Sequence, residues 1–188
     1  FYGGKRKLFM ALLEIKNLSF SYSGAENSAL ENINLTVEQG DFVLLCGESG
    51  CGKTTLLKLL KKQLRRNGTL TGEITYNGVN VDNLDERTSV CEIGYVMQNP
   101  ENQTVTDKVW HELAFGLESL GEKTPIIRRK VAEICGFFGI GEWYHKRTSE
   151  LSGGQKQLRS LASVMVMNPS LLILDEPTAQ LDPIAASE

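Results

Sequence analysis

The chain lacks any apolar run near the ~20 residues needed to span a bilayer, so if membranes matter to it, they are expected to matter through a partner. It lacks a strong charge of either sign. A formal net charge of -3 over 188 residues gives no bulk attraction to nucleic acid, and the basic stretch Lys58 to Arg66 reads as the solvated face of a helix. Its four cysteines, Cys46, Cys51, Cys91 and Cys135, form no C-x-x-C pair, which removes the usual zinc and disulfide frameworks and fits reduced thiols in a cytosolic protein. No internal repeat or low-complexity tract interrupts it. There is also no initiating methionine: Phe1 to Lys7 precede Leu8 to Leu13, a run too short for a signal peptide, so residues 1–12 are expected to be a leader or expression remnant with Met10 as a native start.

What is present is one domain's worth of chain, from residue 13 to 188. That length buries roughly 70% of its unfolded surface. Gly47-Glu48-Ser49-Gly50-Cys51-Gly52-Lys53-Thr54 fits the phosphate-cradling pattern G-x-x-x-x-G-K-[ST] without mismatch. Phe42 to Cys46 before it reads as a buried parallel strand, and Thr54 to Leu64 after it as a helix. Loop amides and a helix N-terminus then converge on one anion, Lys53 reaches the terminal phosphates, the Thr54 hydroxyl serves a magnesium ion, and Thr55 lines the site.

Leu13 to Tyr22 alternates as a strand, with Ile15, Leu18, Phe20 and Tyr22 prominent. Ile33, Leu35 and Val37 alternate with polar residues, as in a half-exposed antiparallel strand. Gln39-Gly40-Asp41 is a turn, and Asn77-Gly78 marks a hairpin within Gly68 to Val81. Ile93 to Met97 reads as a buried core strand. Val109 to Leu120 is helical, and Thr124-Pro125 predicts an N-cap for a helix carrying Ile127, Val131, Ile134 and Phe138, with Phe137 and Phe138 packed in the core. Leu151 to Gln155 opens another helix with Leu158, Leu161, Ala162 and Met165, ending near Asn168-Pro169. Leu171 to Leu174 is the last buried strand, and Asp175-Glu176 stands at its carboxyl end. A hard divalent ion needs oxygen ligands and a hydrolytic water needs a base, so Asp175 is expected in the magnesium shell and Glu176 as the base.

Leu151-Ser152-Gly153-Gly154-Gln155 resembles the signature sequence of ATP-binding-cassette ATPases, and the motifs stand in that family's order. The resemblance implies an α/β phosphate-loop fold with a mostly parallel core sheet, an N-terminal antiparallel β-subdomain and an α-helical subdomain at about residues 99–165. It implies ATP and Mg2+ as ligands and a second cassette subunit, alike or different, packed head to tail, so that Ser152, Gly153, Gly154 and Gln155 face the γ-phosphate on the partner's loop. Tyr22 resembles the aromatic that stacks on adenine. Gln98 resembles the glutamine linking magnesium to the transport partner, and Thr178 to Asp182 the loop that speaks across the dimer. Gln98 to Gln103 with Glu112 to Glu118 looks like the ATPase subunits of energy-coupling-factor importers, which take up vitamins and transition-metal ions. In that reading residues 98–121 receive a short helix of a membrane partner, and the protein sits on the inner face of the cell membrane through transmembrane subunits.

The family's switch histidine would lie well beyond Asp175-Glu176, whereas His111 and His145 both precede them. A truncated domain, weak in nucleotide binding and hydrolysis alone, is therefore expected. The rival functions are a soluble cassette ATPase of DNA repair or translation, which would carry a coiled-coil insertion or basic extension, and a non-catalytic nucleotide-binding module, which Lys53, Gln98, Asp175 and Glu176 argue against.

Overall fold

The computed structural model describes residues 11–177. They fall into two compact units, one ending at Asp85 and the other beginning at Glu86.

The first unit is built on a four-stranded antiparallel sheet in the order β2-β1-β3-β4, formed by β1 (Leu13–Tyr22), β2 (Leu30–Val37), β3 (Gly68–Tyr76) and β4 (Val79–Asn80). Alternation decides its faces: Leu13, Ile15, Leu18, Phe20, Ile74 and Tyr76 are buried, whereas Asn32, Asn34 and Thr36 stand in solvent. The step from Ile15 to Leu18 spans three residues, which strict period two cannot place on one face. The strand absorbs it in a bulge: the register against both neighbours shifts there, Asn17 takes φ 48° and its N–H donates to Asn34 Oδ1 at 2.9 Å. Gly72 faces this bulge at φ +88°, and a Cβ on it would lie 2.4 Å from the Asn17 carbonyl oxygen.

The turn at Gln39 to Asp41 and the Asn77-Gly78 hairpin form as expected; Glu38 donates its N–H to Asp41 Oδ2 at 2.8 Å, and Tyr76 pairs with Val79. Two expectations fail in this unit. Phe42 to Cys46 is neither a strand nor buried, and Phe42 is 90% exposed. An apolar run becomes a core strand only with a ladder partner and a covering face, and no strand among the described residues pairs with it. The helix expected over Thr54 to Leu64 is α1 (Lys53–Leu59), followed by an extended Lys61 and a 3-10 turn at Lys62–Leu64. Its basic residues are not a merely solvated face. Lys62 Nζ donates to the Leu84 carbonyl at 3.0 Å, while Arg65 binds the Leu59 carbonyl and pairs with Asp82.

The second unit starts with α2 (Glu86–Cys91), a short helix that no periodicity announces. The strands β5 (Ile93–Val96) and β6 (Leu171–Leu174) follow, paired in parallel with Val96 opposite Leu174. β5 is buried throughout; β6 is only half covered, with Leu174 exposed, so the expectation of a fully buried last strand fails on its outer side. Between them lie α3 (Val109–Ser119), α4 (Thr124–Phe138) and α5 (Gly153–Met165). The expected Thr124 cap is displaced by one residue: Lys123 holds the N-cap position without a side-chain bond, and Thr124 and Pro125 lie in the first turn. α5 stops at Met165, short of Asn168-Pro169.

The helices bury Val109, Leu113, Ala114 and Leu117 against Ile127, Val131, Cys135, Ile140, Leu151, Ala162 and Val166. Each large aliphatic so covered contributes about 1.5–3 kcal/mol. Phe138 packs on this cluster, but Phe137, which was also expected in the core, is 74% exposed because it lies one residue, or 100°, around α4.

The bulge carries a stability prediction. Gly72→Ala should destabilise the protein by about 1–3 kcal/mol, from a strained left-handed backbone and the contact with the Asn17 carbonyl, with urea unfolding as the measurement. A variant as stable as the parent would show that the bulge yields.

Candidate functional site

In the first unit the candidate residues gather around the loop Gly47 to Thr54. Gly52 ends the loop in the left-handed region, at φ 95°, as the N-cap of α1. A Cβ there would lie 2.7 Å from the Ala29 carbonyl oxygen and 2.9 Å from Leu30 Cδ2, so the β2 entrance leaves room for glycine alone. Lys53 folds back over the loop: its Nζ donates to the carbonyls of Gly47 at 2.7 Å and Glu48 at 2.8 Å, and lies 3.7 Å from Cys51 Sγ. The loop thus holds a cation above its own backbone, where a phosphate oxygen could replace the carbonyls as partner. Ser49, Gly50 and Cys51 form the exposed crest.

Tyr22, at the end of β1, is brought to this loop. Its hydroxyl is 2.7 Å from Thr55 Oγ1, and its ring stands edge-on to Phe20 with centroids 4.9 Å apart. The bond ties the expected base-stacking aromatic to the first turn of α1.

In the second unit the strand ends bring together residues far apart in sequence. Asp175 extends the parallel ladder, its N–H donating to the Val96 carbonyl at 3.1 Å, and it is buried. The Tyr95 hydroxyl donates to Asp175 Oδ2 at 2.9 Å. Burial first, and then this bond and the carboxylate charge, push the Tyr95 phenol well above its ordinary range, so it remains a donor. Gln98 Nε2 donates to Glu176 Oε2 at 2.6 Å, bridging 78 positions of sequence. Glu176 is exposed and has φ 48°, an uncommon conformation for a side chain without local turn chemistry.

The start of α5 is set by a reciprocal cap. Ser152 Oγ accepts from the Gln155 N–H at 3.4 Å, and Gln155 Oε1 accepts from the Ser152 N–H at 3.0 Å. Gly153 and Gly154 occupy the first helical positions, where helix geometry supplies no intrahelical acceptor for their amides. Thr178 to Asp182 lie outside the described residues.

The donors suit a nucleotide with a magnesium ion. Among the described residues no group of three or more His, Cys, Asp or Glu could cage a metal, and magnesium is ordinarily held by one or two carboxylates with waters and phosphate oxygens instead. Asp175 and Gln98 in the second unit, and separately Thr54 in the first, each carry an oxygen donor of that hard type.

Tyr95 and Arg159 were not anticipated, while Gln103 and Glu112 stood inside quoted motifs without a sign of what they bind. Tyr95 sits in an otherwise apolar strand, and a buried tyrosine hydroxyl demands a partner. Arg159 stands three and seven residues before the buried Ala162 and Val166, on the core face of α5, and forms a buried ion pair with Glu112 of α3 at 3.2 Å. Burial lowers the Arg159 pKa, partly opposed by the Glu112 charge. Gln103 grips the exit of β5, donating to the Tyr95 carbonyl at 3.3 Å and accepting from the Met97 N–H at 3.1 Å.

The model of the ABC transporter family matches residues 30–179. An ABC transporter ATP-binding protein of Bacillus anthracis is 52% identical over 179 residues, covering 95% of this chain and 32% of the relative. The cobalt import ATP-binding protein CbiO of Syntrophus aciditrophicus is 38% identical over 176 residues, covering 92% of this chain and 61% of the relative. Among solved structures, CbiO1 of Clostridium perfringens, described as part of the ABC transporter complex CbiONQ, superposes with a TM-score of 0.81 at 32% identity, covering 94% of this chain and 70% of that one. A dimeric ATP-binding cassette in a post-hydrolysis state with ADP and phosphate superposes with a TM-score of 0.78 at 25% identity, covering 93% and 78%. The chain spans about a third of the length of the Bacillus relatives.

Cys51 gives the loop a chemical handle. A maleimide on its exposed thiol should lower nucleotide affinity at least about tenfold, and ATP should slow the modification. Labelling a Cys46→Ser variant and titrating a fluorescent nucleotide would check this; full affinity after Cys51 alkylation would contradict it.

Proposed function

The chain belongs to the ABC transporter family, and from that premise we propose that it binds and hydrolyses ATP to drive a membrane transporter. The observation that carries the proposal is the Gln98–Glu176 hydrogen bond, beside the buried Asp175. It joins the glutamine that would sense the nucleotide's metal ion to the carboxylate that would act on the attacking water.

In this reading the amides of Gly47 to Thr54 bind the phosphates, and Lys53 exchanges its two carbonyl partners for phosphate oxygens. Thr54 on the first unit and Gln98 and Asp175 on the second would each offer an oxygen to Mg2+, whose chemistry is to offset phosphate charge. Tyr22 stacks on the base while Thr55 braces its hydroxyl. Glu176 orients water toward the γ-phosphate and accepts its proton. The amides of Gly153 and Gly154, with Ser152 and Gln155, complete the site of a second cassette subunit arranged head to tail, and closure of that pair is the step passed to the membrane. Thr178 to Asp182, Asp182 above all, would complete the dimer contact.

Among the described residues no helix is long and apolar enough to cross a membrane, so transmembrane partners would have to supply the pathway. The segment 98–121 exposes Val105 (62%) and Phe115 (38%), apolar side chains suited to a short partner helix. The likeness to CbiO proteins, together with Gln98 to Gln103 and Glu112 to Glu118, supports an energy-coupling-factor type of importer for a vitamin or transition-metal ion, with the ATPase on the cytoplasmic face.

Glu176→Gln in the full chain tests the assignment. It should bind ATP within about threefold of the parent and lower kcat at least about a hundredfold, measured by nucleotide titration and phosphate release. Hydrolysis at the parent rate would remove Glu176 from the base role.

A further inference from the structure

We propose that Arg159 and Glu112 are positioning residues that bind the segment Pro100 to Thr106 to α5, so that a displacement of Gln98 is delivered to Gly153 and Gly154. The inference rests on the functional reading above and names a coupling element within it.

Arg159 is 1% exposed and lies about two turns into α5 from Ser152. Its Nη2 donates to Thr104 Oγ1 at 2.8 Å and, at 3.3 Å, to the Pro100 carbonyl and Ser160 Oγ. Its Nη1 lies 3.2 Å from Glu112 Oε1. The Glu112 carboxylate in turn receives the Val105 N–H at 3.1 Å, the Thr106 N–H at 2.8 Å and the Thr106 hydroxyl at 2.9 Å. Both ends of the segment that follows Gln98 are therefore fastened to one buried charge pair. Lys156, one turn nearer the helix start, adds a surface contact to Glu101 at 2.7 Å.

The geometry is poorly explained as a stability device. The Nη1 approach to Glu112 is an ion pair without hydrogen-bond alignment, and Arg159 Nε and Nη1 have no hydrogen-bond partner although buried. Desolvating two charges costs several kcal/mol each, and well-packed apolar residues commonly hold a core as well or better. What apolar residues lack is direction. A planar guanidinium bonded to a loop carbonyl and hydroxyl, with a carboxylate bonded to two loop amides, fixes that loop against the helix in one register. Gln103, clasping the end of β5, holds the other side of Gln98. Gln98 is thus mounted between a strand that carries Tyr95 and a helix that begins with the signature glycines.

The test compares the full chain with the double variant Arg159→Met, Glu112→Leu, following hydrogen exchange at 98–106 and 152–158 with and without Mg-ATP, and measuring kcat and KM. In the parent the two segments should change protection together. In the double variant ATP affinity and KM should stay within about threefold, kcat should fall at least about tenfold, and the nucleotide-dependent change should persist at 98–106 but vanish at 152–158. Parent-like kcat, or two segments that still respond in step, would overturn the proposal. If the double variant does not fold, Arg159→Lys, which keeps the charge and loses the planar fork, carries the same expectation and the same overturning result. A parent protein with no nucleotide response anywhere would overturn the functional reading and this inference with it, an outcome distinct from a responsive parent and an equally responsive variant.

Discussion

The register of a four-residue parallel pair decides which side chains meet at the strand ends of the second unit. With Val96 opposite Leu174, the residues just beyond β5 and β6 emerge side by side, and Tyr95, Gln98, Asp175 and Glu176 meet. Side chains alternate along a strand, so a slip of one residue would turn Asp175 away from Tyr95 and break the ladder bond from Asp175 to Val96. Gly94 pins that register from behind. A Cβ there would come within 2.6 Å of Val164 Cγ1, so α5 packs directly on the β5 backbone. The helix that begins with the signature glycines and the strand that presents Tyr95 are thus one packed assembly.

The first unit obeys a different constraint. Its loop is shaped by backbone, not by a side-chain cluster: a left-handed Gly52 wedged against β2, and a lysine returning to the carbonyls of Gly47 and Glu48. A cationic side chain satisfied by backbone oxygens is already placed for a phosphate, and little reorganisation is then needed when charge arrives. Tyr22 adds a rigid aromatic at the same place because β1 ends there and its hydroxyl shares a hydrogen bond with that of Thr55.

Much of this was legible in the residues. The Asn77-Gly78 hairpin and the helix opening at Leu151 to Gln155 depend on local chemistry, and each forms where its motif stands. Phe42 to Cys46 misled because an apolar run records what a segment can bury, not whether a neighbour supplies a ladder. Lys62 and Arg65 were misread for a related reason: a basic stripe on a presumed helix looks solvated until the helix breaks at Lys61 and the side chains find carbonyls. Tyr95, Gln103, Glu112 and Arg159 act through partners between 6 and 80 positions away, and single-residue types carry no trace of such pairings. Arg159 left a mark as a charge at a core-facing helical position, Tyr95 as a hydroxyl in an apolar strand, and Gln103 and Glu112 as motif members whose partners the motif does not name.

The likeness to energy-coupling-factor ATPases acquires physical content from those pairings. Of the residues Gln98 to Gln103 on which it rests, Asn99 caps a 3-10 turn by accepting the Glu101 N–H at 2.9 Å, Pro100 gives its carbonyl to Arg159, and Gln103 clasps β5. Glu112, from the second half of the likeness, receives the end of the same segment. Gln98 sends its side chain to Glu176 instead. A motif that reads as a family label is therefore a mount: its polar residues hold a loop rigid on both sides of one glutamine. An exposed, apolar-tipped loop carrying Val105 would otherwise lie among the least stable parts of the unit, free to move without moving α5. Fastened as it is by Arg159 and Glu112, it is held to α5 and α3 despite that exposure.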